Sequence, residues 1–155
     1  MHHPFVYMLY ILLIAACLIV DQAVKIFVSS VMIPGESVPV IQGFFHITYI
    51  HNEGAAFGIL AGHSTVLIAI PAVILTAVAI YLAVRGRNVP KMMGFALSLI
   101  AAGGTGNIVD RALYGYVIDF LDFKIWNPVF NVADIFICTG CGLMILYILV
   151  FDRKE

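Results

Sequence analysis

The sequence FNVADIFICTGCGLMILYILVF, residues 130–151, decides the fold of this chain. From Val132 to Phe151 it has the length and composition of a transmembrane helix, which needs about 20 apolar residues. The helix begins with a carboxylate, Asp134, and a second carboxylate, Asp119, stands nearby in the sequence VIDF, residues 117–120. An ionisable residue at a membrane span is costly to keep, so it marks a functional-site hypothesis. Two such residues close together predict shared proton chemistry.

The composition supports a membrane location for the whole chain. Of the 155 residues, 63% are hydrophobic and 11% are charged, whereas soluble domains carry about 25% charged residues. The chain is therefore predicted to be an integral membrane protein, and its length allows one membrane-embedded domain, residues 1–155. Few basic residues lie outside the predicted cytoplasmic side, and nothing in the sequence indicates a nucleic-acid partner.

The predicted fold is an all-α integral membrane protein with four transmembrane helices. The spans are expected at about 5–27, 65–84, 92–109 and 132–151. The first connection carries β-branched and aromatic residues between turn signals, which indicates short strands from Val38 to Tyr49. These strands predict a small extracytoplasmic β-sheet within residues 37–60. Asn52 is a favourable N-cap, so a short lid helix is expected from Gly54 to Leu60.

The basic residues predict the orientation in the membrane. Five of the eight lie at the short second loop or the C-terminus, and cytoplasmic loops are enriched in Lys and Arg. Both termini are therefore expected in the cytoplasm, and the two longer connections outside. The five residues are Arg85, Arg87, Lys91, Arg153 and Lys154.

The remaining polar residues concentrate at the predicted outer ends of the spans. Asp21 and Lys25 stand at helical i, i+4 spacing, which favours an intrahelical ion pair that anchors the helix end. Asn107, Asp110 and Arg111 end the third span, where Asp110 could cap a helix. An ordinary structural role remains open for the two carboxylates as well, since each could pair with Arg111 or with Lys124.

The chemical hypothesis for Asp119 and Asp134 is a shared proton. Two nearby carboxylates cannot both ionise cheaply, so one keeps a proton while the other acts as a base. Such a pair can activate a water molecule and then protonate a leaving amine. Asn131, just before Asp134, could orient a carbonyl group or polarise a tetrahedral intermediate.

Other chemistries have weaker support in the sequence. His46 and His51 have no third ligand nearby, and a zinc site needs three or four. Cys138 and Cys141 have the spacing of a redox or zinc pair, but cysteines within apolar helices behave mainly as small hydrophobic residues. No serine has the context of a catalytic triad. We therefore expect no metal and no cofactor.

Four sequence blocks, in order, resemble the lipoprotein signal peptidases, also called signal peptidase II. They span nearly the whole chain, and together they are far more specific than any one of them. The blocks are DQAVK (21–25), NEGAAF (52–57), GNIVDR (106–111), and VIDF (117–120) with FNVAD (130–134).

The resemblance implies an aspartic peptidase of bacterial inner membranes, with Asp119 and Asp134 as its catalytic dyad. It also implies that Gly54 to Leu60 forms a mobile segment over the active site. The residues that it implies as substrate-binding or site-supporting are Asn52, Gly54, Asn107, Asp110, Arg111, Asn131, Asp21 and Lys25.

The implied function is removal of the signal peptide from diacylglyceryl-modified prolipoproteins, by cleavage just before the lipidated cysteine. The expected partners are these substrates and membrane lipid, and the enzyme is expected to act as a monomer with its active site near the outer face. The alternative is a small proton-coupled transporter or channel subunit, because intramembrane carboxylates also serve as proton relays. A transporter often has internal repeats and broken helices, and neither is evident in the sequence.

Overall fold

Four long helices form the body of the protein. The computed structural model describes residues 3–54, 64–85 and 88–151. All four helices are long and apolar enough to cross a membrane, which confirms the predicted fold class. The predicted lid helix lies outside the described residues, apart from Gly54 at its start. The helices are α1 (His3–Val31), α2 (Ser64–Arg85), α3 (Lys91–Tyr114) and α4 (Val132–Val150).

A four-stranded antiparallel sheet accompanies the helices. Its order follows the chain, β1 (Ser37–Ile41), β2 (Phe45–Asn52), β3 (Val117–Phe123) and β4 (Val129–Phe130). The sequence predicted strands only in the first connection, yet β3 and β4 belong to the third. Strand β3 has the sequence VIDFLDF and is largely buried. It lacks the alternation of apolar and polar residues that identifies a half-buried strand, so its pattern did not predict its structure.

Helix α3 is the central helix, because it contacts each of the other three. Small residues allow this close approach. A Cβ atom on Gly106 would lie 2.5 Å from Asp21 Oδ2, and one on Gly140 of α4 would lie 2.6 Å from the Ala96 carbonyl oxygen. Larger side chains at these two positions would separate the helices.

Helix α3 also continues beyond the predicted end of the third span, which was Val109. It ends at Tyr114, where Gly115 adopts a φ of 85° and donates its N–H to the Arg111 carbonyl. Glycine adopts this left-handed conformation without steric cost. Asp110 and Arg111 are therefore within a helix, and Asp110 does not cap it.

The last turns of α1 join the sheet to the helices. Val28 of α1 forms a buried cluster with Tyr49 of β2 and with Ile118 and Phe120 of β3. This cluster holds β3 beside the ends of α1 and α4. As a result, the residues of β3 that face away from the cluster approach the start of α4.

Candidate active site

The structure brings Asp119 and Asp134 to one cavity of about 570 Å³. Asp119 lies on β3 opposite Ile50 of β2 and is only 1% exposed. Asp134 lies in the first turn of α4. The cavity lining also includes Ile50, His51, Asn52, Glu53, Gly54, Asn107, Arg111, Asn127, Asn131, Ile137 and Cys138.

Both carboxylate oxygens of Asp119 accept hydrogen bonds from side-chain amides. Asn52 Nδ2 donates to Oδ2 at 2.7 Å, and Asn131 Nδ2 donates to Oδ1 at 2.6 Å. These two donors come from different elements, since Asn52 ends β2 and Asn131 precedes α4. Each carboxylate oxygen of Asp119 is therefore held by a donor from a different element.

Asp134 is bound in a similar way. Asn107 Nδ2 donates to its Oδ1 at 2.8 Å, and the Asn131 backbone N–H donates to its Oδ2 at 3.2 Å. Asn131 Oδ1 in turn accepts from the Asp134 N–H at 3.0 Å, which completes a capping box at the start of α4. A helix N-terminus also favours a negative charge in its first turn.

The hydrogen bonds determine which way each asparagine amide faces. Because Asn131 Oδ1 caps α4, its Nδ2 must face Asp119 and the Asn107 Oδ1 atom, 3.1 Å away. Asn107 Oδ1 also accepts from Lys25 Nζ at 3.1 Å, so the Asn107 Nδ2 atom faces Asp134. The sequence suggested that Asn131 could orient a carbonyl group or polarise a tetrahedral intermediate; in the structure both ends of its side chain bind within the site.

Three charged residues form a buried group next to the carboxylates, which we call the Lys25 cluster: Asp21, Lys25 and Asp110. Lys25 Nζ lies 2.9 Å from Asp21 Oδ2 and 2.9 Å from Asp110 Oδ2. All three side chains are 1% exposed or less. The predicted ion pair between Asp21 and Lys25 is present, but it is buried and shared with Asp110 of α3.

The Lys25 cluster holds the backbone directly before each carboxylate. Asp21 Oδ1 accepts from the Ala133 N–H at 2.9 Å, one residue before Asp134. Asp110 Oδ2 accepts from the Ile118 N–H at 3.2 Å, one residue before Asp119. One ion cluster therefore connects the two segments that carry Asp119 and Asp134.

Arg111 contacts the segment that follows β2. Its Nη2 donates to the Gly54 carbonyl at 2.8 Å, while the Gly54 N–H donates to Asn52 Oδ1 at 3.0 Å. Lys124 pairs with Asp122. Within residues 3–54, 64–85 and 88–151, neither Asp119 nor Asp134 forms an ion pair, so the alternative in which they pair with Arg111 or Lys124 is wrong.

Burial raises the pKa of Asp119 to about 7, and the nearby charge of Asp134 adds to this increase. The hydrogen bonds from Asn52 and Asn131 act in the opposite direction but do not cancel it. A carboxyl group with this pKa can hold a proton near neutral pH. A carboxyl group that holds a proton near neutral pH can serve as a general acid.

Gln22 supports the site but was not predicted from the sequence, and neither were cavity-lining residues such as Glu53 and Cys138. Gln22 Nε2 donates to Asp110 Oδ1 at 2.9 Å and to Asp21 Oδ2 at 3.1 Å, so it completes the bonding of the Lys25 cluster. A glutamine next to Asp21 within a largely apolar span was a usable signal, because a polar side chain there needs a partner.

Fold and site together define the class: a multi-pass membrane protein that presents two hydrogen-bonded carboxylates in a cavity where its helices meet a small sheet. The family model described as Signal peptidase (SPase) II matches residues 13–150. The chain belongs to the signal peptidase II family, and it is a bacterial membrane peptidase.

Individual relatives agree with this assignment. The chain is 43% identical over 136 aligned residues to a lipoprotein signal peptidase of Desulfitobacterium hafniense. The alignment covers 88% of this chain and 89% of the relative. It is 44% identical over 142 residues to that of Halothermothrix orenii, covering 91% and 94%. A bacterial membrane enzyme solved by the in meso method at 2.3 Å resolution superposes with a TM-score of 0.84 at 36% identity, covering 94% of this chain and 92% of that one.

Proposed function

We propose that this peptidase removes the signal peptide from diacylglyceryl-modified prolipoproteins by an aspartic mechanism, cleaving just before the lipidated cysteine. The observation that carries the aspartic mechanism is the pair Asp119 and Asp134 in one cavity, hydrogen-bonded by three asparagines. The relatives, which are lipoprotein signal peptidases, support the substrate. Neither the family nor the relatives support the transporter alternative.

In this mechanism the two carboxyl groups share one proton and bind one water molecule between them. We assign the proton to Asp119, because it is only 1% exposed on β3, whereas Asp134 lies in the first turn of α4, where the helix N-terminus favours a negative charge. The ionised Asp134 removes a proton from the water as the water oxygen attacks the scissile carbonyl carbon. Asp119 donates its proton to the carbonyl oxygen, which gives a neutral tetrahedral intermediate with two hydroxyl groups. Asp134 then passes the proton that it took from the water to the amine nitrogen as the C–N bond breaks, and Asp119 takes a proton back from one of the hydroxyl groups. The products are a new carboxylate on the signal peptide and a new amine on the cysteine.

Asn52, Asn107 and Asn131 act in this proposal by holding the two carboxylates in a reactive orientation. Arg111 and Gly54 connect the start of the predicted lid to Asn52 and thus to Asp119. Preorganised hydrogen bonds lower the barrier because they need not reorganise during the reaction. The Lys25 cluster acts indirectly, because it binds the backbone N–H groups of the residues directly before Asp119 and Asp134.

We further propose the arrangement in the cell. The chain is one peptidase domain, residues 1–155, in the bacterial inner membrane, with both termini in the cytoplasm and the site near the outer face. The basic residues at the short second loop, such as Arg85 and Lys91, support this orientation. A monomer is sufficient for this proposal, because all the residues named in it belong to one chain.

The function is tested by incubating the purified protein with one prolipoprotein, with and without its diacylglyceryl group, in the same bilayer mimic. We expect cleavage of the lipidated form, with a new N-terminal cysteine detected by mass analysis. Without the lipid, kcat/KM should fall, because the lipid holds the scissile bond at the depth and register of Asp119 and Asp134. Equal kcat/KM values would contradict the lipoprotein assignment while leaving a membrane peptidase.

The aspartic mechanism also predicts a pH dependence. Above about pH 7 Asp119 loses its proton, and a doubly ionised pair has no acid, so kcat/KM should fall as the pH rises through this value. The variant Asn52→Leu removes a hydrogen bond that lowers the pKa of Asp119, so the fall should move to higher pH. The measurement is the pH profile of kcat/KM for both proteins, and a fall at the same pH in each would contradict the role of Asp119.

A further inference from the structure

The hydrogen bond between Asn52 and Asp119 lies where the pairing of β2 with β3 ends. Asn52 is the last residue of β2 and pairs with Val117. Asp119 pairs with Ile50, two residues earlier on β2. Successive side chains of a strand point to opposite faces of the sheet, so Asn52 and Asp119 share one face. The geometry of their hydrogen bond therefore depends on how firmly the end of β2 is held against β3.

The end of β2 is the part of this pairing most prone to open. The register of β2 against β3 shifts between Ile47 and Ile50, so the last paired residues are set apart from the rest of the strand. His51 is exposed, and Asn52 is only partly buried. Backbone hydrogen bonds near solvent at the end of a strand open more easily than those in the middle of a sheet. This end of the sheet needs a further contact to stay closed.

An aromatic contact supplies it on the opposite face of the sheet. The His51 ring stacks on the Tyr116 ring, with centroids 3.7 Å apart and ring planes 14° apart. His51 Nε2 and the Tyr49 hydroxyl are hydrogen-bonded at 2.9 Å, and Tyr49 belongs to the buried cluster around Val28. His51 is therefore fixed from two directions although it is exposed. We call the contact between His51 and Tyr116 the aromatic clamp.

We propose that the aromatic clamp positions Asn52 against Asp119, which makes His51 and Tyr116 positioning residues for the reaction. This inference rests on the proposed function. His51 directly precedes Asn52, and Tyr116 directly precedes β3, so the clamp joins the two strands at their last pair. Cross-strand pairs of aromatic side chains stabilise a sheet, and here that stabilisation falls on the residue that binds Asp119.

The test is the pH profile of kcat/KM for a lipidated prolipoprotein in His51→Ala and, separately, in Tyr116→Leu. Each variant removes the stack, so Asn52 should be bonded to Asp119 for a smaller fraction of the time. That hydrogen bond lowers the pKa of Asp119, so the fall of kcat/KM should move to higher pH in both variants. The pH at which kcat/KM falls is independent of how much of the protein has folded.

A double variant shows whether the effect passes through Asn52. In Asn52→Leu the hydrogen bond to Asp119 is already absent, so adding His51→Ala should not move the pH profile further. Non-additivity of this kind is expected when two residues act through one interaction. A further shift of the same size in the double variant would overturn the role of the clamp, because His51 would then act on Asp119 by another route.

Two controls separate the stack from other effects. His51→Phe keeps a ring for the stack but removes the imidazole, so its kcat/KM should fall at the same pH as in the unaltered protein. Tyr114→Leu removes a ring that stacks on Tyr116 at 6.0 Å, outside the clamp, and should not shift the profile. The charged groups around Asp119 are the same in every variant: Lys25 of α1, Asp110 and Arg111 of α3, Asp134 of α4, and Glu53 after β2.

Hydrogen exchange gives a second readout that does not require activity. The backbone N–H groups of residues 50–54 should exchange faster in His51→Ala and Tyr116→Leu than in the unaltered protein, because the end of β2 opens more often. In His51→Phe they should exchange at the unaltered rate. Unchanged exchange in both His51→Ala and Tyr116→Leu would overturn the clamp.

The pH profiles can overturn it as well. A fall of kcat/KM at the unaltered pH in both His51→Ala and Tyr116→Leu would do so. A shift in His51→Phe as large as in His51→Ala would also do so, since the imidazole and not the stack would then act on Asp119. If the unaltered protein cleaves no prolipoprotein, the proposed function fails and the positioning role fails with it. Cleavage by the unaltered protein with unshifted profiles leaves the function standing and removes only the clamp.

Discussion

Asp119→Asn and Asp134→Asn are each expected to abolish cleavage of a lipidated prolipoprotein while the protein still inserts and folds. An asparagine preserves the shape of the side chain but cannot accept a proton from water or donate one to the substrate. General acid–base catalysis by one group contributes about 10²- to 10⁴-fold, and both groups act in one step. The measurement is kcat for each purified variant, and substantial turnover by either would contradict the dyad.

The stability of Asp119→Asn should remain near that of the unaltered protein. The pKa of Asp119 is raised to about 7 in the folded state, above its value in the unfolded chain. Protonated Asp119 therefore adds to the free energy of unfolding at acidic pH, and this contribution is lost as the pH rises toward 7. At pH 8 the unaltered protein therefore contains a buried charge that the variant lacks. The variant also leaves one donor amide, from Asn52 or Asn131, without an acceptor, which costs about 1–3 kcal/mol. The two effects oppose each other, and the thermal unfolding midpoint in detergent measures the balance.

Asp122→Asn is the matched control for the dyad variants. Asp122 lies on β3, three residues beyond Asp119, and is only 6% exposed. It binds Lys124 and accepts from Thr48 Oγ1 at 2.5 Å, outside the cavity lining. This variant removes a mostly buried carboxylate from the same strand, so it should keep most of the activity. A loss of activity as large as that of Asp119→Asn would indicate that removing either carboxylate from β3 inactivates the protein.

Lys25→Met is expected to cause the largest loss of stability of any single change in the site. It leaves Asp21 and Asp110 as two buried carboxylates without their cation. Removal of one partner from a buried ion pair typically costs about 3–5 kcal/mol. Adding Asp21→Asn and Asp110→Asn removes those charges, so this triple variant should recover part of the lost free energy of unfolding.

The same triple variant tests whether the Lys25 cluster positions the dyad or only stabilises the fold. Ala133 and Ile118 would then donate to neutral amides, and Asn107 would lose the hydrogen bond from Lys25. If the cluster positions Asp119 and Asp134, kcat per folded molecule should stay low after stability is recovered, with a smaller change in KM. Full specific activity in the triple variant would assign the cluster a purely stabilising role.

Short-range patterns were sufficient for much of the fold and for the choice of carboxylates. A span such as Val132 to Phe151 is visible because membrane insertion depends on the summed apolarity of about 20 consecutive residues. Asp119 and Asp134 were visible because a charge beside such a span is costly. The strand β3 was missed because a strand buried on both faces loses the period-2 pattern.

The sequence by itself determined the membrane class, the four helices and the family, because each depends on residues close together along the chain. Only the tertiary structure decided how the carboxylates are held. Lys25 reaches Asn107 across 82 positions, and Asp21 reaches Ala133 across 112 positions. No local periodicity encodes such contacts, since they exist only after α1, α3 and α4 pack together. The direction of each asparagine amide follows from those contacts in turn, because the partners at one end of the amide determine which atom faces the carboxylate.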